Sequence, residues 1–241
     1  MSTEIIIAFL TLTFLEVILG IDNIIFISIV TNKLPAEQQP RARLIGLSLA
    51  MVFRVLLLLG ISWLIGFNQP LFTVMEMPFS GRDLILLAGG LFLLGKSTME
   101  IHHKVEGIED RPGIETGKKA SMGSILFQIV LLDLVFSFDS ILTAIGLTTN
   151  IPVMIAAVIV SIIIMMVFAN RISNFINQHP SLQILALSFL MLIGFMLAIE
   201  AFEQHVPKGY IYFAVFFSML VEVLNMRLRK KTEVKTGNGA D

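Results

Sequence analysis

Apolar residues along the chain form seven long runs, separated by stretches rich in charged and turn-forming residues. Each run has about the number of residues that an α-helix needs to cross roughly 30 Å of hydrocarbon. The stretches between them include NKLPAEQQPRAR (32–43) and HHKVEGIEDRPGIETGKK (102–119). The pattern predicts an all-α polytopic membrane protein with seven transmembrane helices, at about 4–30, 44–66, 83–100, 122–147, 151–170, 182–201 and 210–226.

The composition supports this class and excludes others. Of the 241 residues, 56% are apolar and 15% are charged, whereas a soluble domain has about 25% charged residues. The chain has no cysteine, so disulfides, thiolate ligands and cysteine nucleophiles are excluded. The net charge of −1 predicts no nucleic-acid partner. The first 20 residues contain Glu4 and Glu16 and no basic residue, which indicates a first span and not a cleaved signal peptide.

Basic residues predict the orientation in the membrane. They concentrate after the first, third and fifth spans and in the C-terminal tail, while the opposite loops contain only Arg82 and Lys208. The positive-inside rule places the N-terminus outside and the C-terminus in the cytoplasm. The tail, 227–241, is predicted to be disordered, basic and cytoplasmic, in contact with solvent and with anionic headgroups.

The first and fourth spans resemble each other. LEVILGIDNIIF (15–26) aligns with LDLVFSFDSILT (132–143) at a separation of 117 positions, and at that separation Arg54 aligns with Arg171. The aligned polar pairs are Glu16 with Asp133, Asp22 with Asp139, and Asn23 with Ser140. Because three spans separate the copies, the two copies run in opposite directions.

The chain is therefore predicted to be one transmembrane domain, 1–226, built as an inverted 3+3 repeat plus one extra helix. Repeat one covers about 4–103, repeat two about 121–205, and the seventh helix about 210–226.

Four acidic residues in the apolar spans indicate a cation site. Inverted repeats in secondary transporters place the site near the bilayer midplane, and Glu16 and Asp133 each lie near the middle of a span. A charged carboxylate there costs roughly 2.5–3.5 kcal/mol. Four acids and one central arginine leave negative charge that a bound cation or protons must offset. The predicted metal ligands are Glu16, Asp22, Asn23, Asp133, Asp139 and Ser140.

The spacing of these acids leaves two geometries open. Residues six apart on a helix point about 120° apart, whereas residues seven apart share a face. Either the helices bend at Gly20 and Ser137, or the first and second acids line different parts of one cavity.

Other polar residues have two interpretations each. Arg54 is either a structural partner of Asp22 or Asp139, or a counter-charge that occupies the site when the cation leaves. Gln128 and Ser137 are candidates for the oxygen shell, although Gln128 equally suits a helix–helix hydrogen bond. Glu200 is either a gate or an interface residue. Carboxylate, amide and hydroxyl oxygens suit Mg²⁺, Ca²⁺ or Mn²⁺ better than Cu⁺ or Zn²⁺.

Several motifs resemble the TerC family of bacterial integral membrane proteins, over about residues 10–226. The similarity lies in ExxLGIDN of the first span, LDLVFSFDS of the fourth, and the later segments HPSLQILALSFLMLIGF and HVPKGYIYFAVFFSMLVE. It is greatest to the short branch without C-terminal CBS domains. The resemblance implies membership of the LysE-type transporter superfamily and a place in the bacterial inner membrane. It also implies that the family's acidic motifs fall on the six ligand positions named above.

Members of that family are linked to manganese efflux, to metal loading of secreted proteins and, through the name, to tellurite resistance. The resemblance therefore implies a Mn²⁺ exporter without a prosthetic cofactor. An alternative is a non-transporting membrane partner of the secretion machinery that helps load metal into exported proteins. An enzyme is not expected, because Gly20–Ile21–Asp22 lacks the Gly-x-Gly-Asp loop of intramembrane aspartyl proteases.

Overall fold

The computed structural model of the chain describes residues 3–60, 66, 69–74, 77–106, 121–202, 204 and 207–237. Within these ranges, the side chains of residues 22, 139, 142, 143, 208, 212 and 229–237 lie outside the description.

Seven helices and one β-hairpin make up the described residues. The helices are α1 (Thr3–Thr31), α2 (Gln39–Leu59), α3 (Gly81–Glu106), α4 (Met122–Leu147), α5 (Ile151–Asn177), α6 (Pro180–Glu200) and α7 (Lys208–Gly237). Among the described residues, six helices are long and apolar enough to cross a membrane, and the shorter apolar stretch Met122–Phe138 belongs to α4. The all-α polytopic membrane class is therefore confirmed, while the count of seven spans and the inverted repeat stay predictions.

The helix bounds differ from the predicted spans where polar residues continue a helix. Helix α2 begins at Gln39, with Pro40 in its first turn, and not at 44, because proline suits the first turn of a helix. Helix α5 continues past 170 to Asn177, and α7 continues to Gly237, through most of the segment predicted as a tail. The division into repeats and tail stays a prediction.

A β-hairpin lies between α2 and α3, which the hydropathy pattern does not predict. Strand β1 (Pro70–Val74) pairs antiparallel with β2 (Met77–Ser80). Ser80 and Asp83 then cap α3, because the Asp83 carboxylate accepts from the Ser80 amide at 2.9 Å and the Ser80 hydroxyl accepts from the Asp83 amide at 3.2 Å.

The helices pack mainly in three pairs, α1 with α5, α2 with α4, and α3 with α6. Helices α1 and α5 are parallel, since Ser28 contacts Ser173 and Asn32 contacts Asn177 at the same sequence separation of 145. An exchange of the two predicted repeats would map this set of pairs onto itself.

Glycines allow the closest approaches between these helices. A Cβ at Gly90 would lie 2.6 Å from the Gly194 carbonyl oxygen, so α3 and α6 touch backbone to backbone. A Cβ at Gly20 would lie 2.1 Å from Met165 Sδ on α5. Helix α1 is continuous through Gly20, and α4 is continuous through Ser137. Neither span is broken there, and Gly20 serves close packing.

Candidate functional site

Arg54 on α2 lies between two carboxylates contributed by two other helices. Its Nη1 donates to Glu16 Oε2 on α1, and its Nη2 donates to Asp133 Oδ1 on α4 at 2.8 Å. All three side chains are buried, with Arg54 only 2% exposed. We call Glu16, Arg54 and Asp133 the central triad.

Two further polar residues complete the hydrogen bonding of the triad. Arg54 Nε donates to Ser137 Oγ at 2.8 Å, and this hydroxyl in turn donates to Asp133 Oδ2 at 3.1 Å. Asn23 Nδ2 approaches Asp133 Oδ1 at 3.4 Å. Each of the three nitrogens of the guanidinium therefore has an oxygen acceptor, and Asp133 receives bonds on both oxygens.

The helical geometry explains why Glu16 and Asn23 act at the same site. They are seven residues apart on the continuous α1 and therefore share a face. That face meets α4, where Asp133 and Ser137 are four residues apart and also share a face.

The charge of the central triad is not balanced internally. Two carboxylates face one guanidinium, which leaves a formal charge of −1 when both acids are ionised. Charged groups in a low-dielectric interior require a partner or a hydrogen-bonding shell. A cation or a proton can provide the missing charge.

The expectation that Arg54 is a partner of Asp22 or Asp139 receives a correction from these contacts. Arg54 instead pairs with the first acid of each motif, Glu16 and Asp133. The side chains of Asp22 and Asp139 lie outside the described residues, although both positions are helical.

The other candidate ligands lie at different distances from the triad along the helices. Ser140 is buried and donates to the Ser137 carbonyl oxygen at 3.4 Å, one turn beyond Asp133. Gln128 donates to the Ser124 carbonyl oxygen at 3.3 Å within its own helix. Glu200 accepts from Arg82 Nη2 at 2.6 Å, which places it in an ion pair between α3 and α6.

Polar contacts between α1 and α5 form a second feature, which the sequence reasoning missed. Ser28 and Ser173 hydroxyls are 2.7 Å apart, and the Asn32 and Asn177 amides exchange two hydrogen bonds of 2.7 and 2.9 Å. The predicted repeat gave no signal for these pairs, because they join α1 to α5 and not to α4.

Charged pairs lie at both ends of the helices. At the end where α1 stops, Glu100 accepts from Lys33 and lies 3.0 Å from Lys96 Nζ. Lys96 was expected to extend towards the aqueous phase, and it does so as the partner of a buried carboxylate. Among the residues that the structure describes, no group of three or more histidine, aspartate or glutamate side chains forms a metal cage.

Helices of this length, packed around a buried ionic triad, define the chain as an all-α polytopic membrane protein. The chain belongs to the integral membrane protein TerC family, whose model matches residues 1–236. Members of this family are often linked to metal-ion transport or tolerance.

Relatives with similar sequences include inner membrane proteins. The chain is 52% identical to the UPF0053 inner membrane protein YgdQ of Escherichia coli K12, over 92% of each chain. It is 48% identical to a UPF0053 protein of Haemophilus influenzae, over 93% of this chain and 94% of that one. It is also 48% identical to the inner membrane protein YoaE of Escherichia coli K12, over 92% of this chain and 42% of the longer relative. No solved structure matches.

Proposed function

We propose that this protein exports a divalent cation, with Mn²⁺ as the physiological substrate, by alternating access around the central triad. The observation that carries the proposal is the sharing of the buried Arg54 by Glu16 and Asp133, which come from different predicted repeats. A buried acid from each half gives a site whose two sides separate when the halves move against each other.

Charge balance assigns a role to Arg54. Glu16 and Asp133 together carry −2 when ionised, which matches a divalent cation, but with Arg54 bound they carry only −1. The guanidinium and the metal ion therefore compete for the same carboxylates. Arg54 stabilises the substrate-free site, and its withdrawal makes the acids available to the ion.

The oxygen atoms around the triad suit a hard cation. Carboxylates from Glu16 and Asp133, the Asn23 amide and the Ser137 hydroxyl are the ligand types that Mn²⁺, Mg²⁺ and Ca²⁺ accept. Asp22, Asp139 and Ser140 are proposed to add ligands as the ion moves along the site, with Gln128 and Glu200 further along α4 and α6. Protonation of the acids is proposed to assist release.

The polar contacts between α1 and α5 supply a barrier on the predicted cytoplasmic side. Asn32 and Asn177 satisfy each other's amides, and Ser28 and Ser173 pair one turn deeper. Access from that side requires these contacts to separate. Since they are few and neutral, their separation costs less than breaking the central triad.

A flux assay tests the proposal. The purified protein is placed in sealed liposomes, and uptake of Mn²⁺, Mg²⁺, Ca²⁺ and Zn²⁺ is followed with and without a pH gradient. We expect Mn²⁺ flux that falls about tenfold or more in Glu16→Gln, Asp133→Asn, Asp22→Asn and Asp139→Asn, because each removes a charge of the site. Glu37→Gln is the matched control, since Glu37 is exposed in the loop after α1.

Flux of no divalent ion, or variants with wild-type flux, would contradict transport. No flux together with co-purification of translocon components would favour the alternative role in metal loading of exported proteins. Wild-type manganese content and tolerance in cells that carry Asp139→Asn would also overturn the proposal.

A further inference from the structure

Arg43, near the start of α2, is a buried cation with neutral partners. It is 4% exposed, its Nε donates to Asn170 Oδ1 at 3.1 Å, and its Nη1 donates to Ser173 Oγ. Among the described residues no carboxylate forms an ion pair with it. A guanidinium stays charged, and a buried charge without a counter-charge is costly. Arg43 therefore lacks an anion, in contrast to Arg54.

A groove between α2 and α5 leads to this guanidinium. Its volume is about 280 Å³, and Arg41, Arg43 and Asn170 line one part of it while Leu44, Leu47 and Met166 line another. The polar residues lie at the start of α2 and near the end of α5. The apolar residues lie about one turn further into both helices, because α2 and α5 are antiparallel where Arg43 meets Asn170 and Ser48 meets Met166.

This order of residues matches the order of groups in a phospholipid. At the headgroup level, Arg41 is exposed and Arg43 extends the positive charge into the groove. Deeper in the predicted membrane, the lining becomes aliphatic, as an acyl chain requires. A free anion such as inorganic phosphate would use only the arginines and would leave the apolar part of the groove in contact with water.

We propose that Arg41 and Arg43 bind the phosphate of an anionic glycerophospholipid, whose acyl chain follows the groove between α2 and α5. The predicted orientation places this groove in the cytoplasmic leaflet, where basic pockets between transmembrane helices bind anionic headgroups. The lipid supplies the counter-charge that Arg43 lacks. It also joins α2 to α5 beside Ser173, the residue that pairs with Ser28 of α1. The site does not depend on the proposed transport function.

Thermal unfolding of the full chain in a neutral detergent tests this site. Phosphatidylglycerol is titrated against phosphatidylcholine and against inorganic phosphate. We expect phosphatidylglycerol to raise the melting temperature, with smaller or no shifts from the other two. Arg41→Gln and Arg43→Gln should weaken the apparent affinity for phosphatidylglycerol about tenfold or more, because each removes charged hydrogen bonds.

Two further variants make the test specific. Arg171→Gln is the matched control, since Arg171 is an exposed arginine next to Asn170 that lies outside this groove, and its affinity should stay at the wild-type value. Leu44→Trp fills the apolar part of the groove from an exposed position and keeps both arginines, so it should weaken binding even if Arg43→Gln fails to fold. Equal shifts from phosphatidylglycerol and phosphatidylcholine would overturn the proposal. So would equal shifts from inorganic phosphate, or an equal loss in Arg171→Gln.

Discussion

Arg54 Nη2 on α2 donates to Asp133 Oδ1 on α4 at 2.8 Å, while the same guanidinium donates through Nη1 to Glu16 on α1. One cation thus joins the acidic motifs of both halves of the chain. The pair connects the two elements that the transport proposal requires to move, and its charge is opposite to that of the neighbouring carboxylates. Its removal is therefore informative about stability and about ion binding.

Arg54→Ala should destabilise the substrate-free protein by about 3–5 kcal/mol, because it leaves two buried carboxylates without their partner. If Mn²⁺ competes with Arg54, this variant should gain more thermal stability from Mn²⁺ than the wild type gains. Melting temperatures in detergent, with and without Mn²⁺, measure both effects. The control is the triple variant Arg54→Ala/Glu16→Gln/Asp133→Asn, which should not respond to Mn²⁺. An equal response in Arg54→Ala and wild type would contradict the competition.

Ser137→Ala should cost about 1–3 kcal/mol, since it leaves the buried Arg54 Nε without its acceptor and removes a donor to Asp133. Ser188→Ala is the matched control, because Ser188 is exposed on α6 and bonds only its own helix at Ile184. The control should change stability by less than about 0.5 kcal/mol. Reversible unfolding in mixed micelles gives both values, and similar losses in the two variants would refute a special role for Ser137.

Gly90→Ala should destabilise the α3–α6 pair, because the new Cβ would lie 2.6 Å from the Gly194 carbonyl oxygen and 2.7 Å from the Ala198 amide nitrogen. Neither backbone atom can move without shifting a helix, so we expect a loss of about 1–3 kcal/mol. Gly95→Ala on the same helix is the control, since a Cβ there meets nothing within 4 Å. That control should be neutral or stabilising by up to about 1 kcal/mol. A thermal melt of both variants decides the matter, and equal melting temperatures would count against the close contact.

Cross-linking Asn32→Cys to Asn177→Cys should stop Mn²⁺ flux, because the two amides hold α1 and α5 together at the end that is proposed to open. The chain has no cysteine of its own, so no background substitution is needed. A short thiol-cleavable bis-thiol reagent is applied to the protein in liposomes, and flux is measured before and after reductive cleavage. Each single cysteine variant with the same reagent is the control. Undiminished flux in the cross-linked protein would show that this interface stays closed during transport.

Much of the architecture follows from the sequence because the bilayer constrains it strongly. Backbone groups in hydrocarbon must bond within their own segment, so apolar runs of this length become helices. The same constraint makes Glu16 and Asp133 conspicuous, since a carboxylate in such a run needs a reason. Spans and central acids were therefore predictable from residue type and spacing alone.

Partner choice was less predictable. The repeat pairs Arg54 with Arg171, yet Arg54 is buried among carboxylates and Arg171 is exposed near the end of α5. Gly20 suggested a helix break, but its lack of a side chain accommodates Met165 in a continuous helix. The neutral pairs between α1 and α5 left no trace in hydropathy.

The sequence by itself determined the membrane class, the approximate helix bounds and the presence of acids in apolar segments, because these depend on local composition and on the thickness of the bilayer. Only the tertiary structure decided that Arg54 joins Glu16 to Asp133, that Glu200 pairs with Arg82, and that Arg43 lacks an anionic partner among the described residues. These relationships depend on how each helix is rotated and which helix lies beside it. Both are set by side-chain packing across the whole bundle, which no single segment encodes.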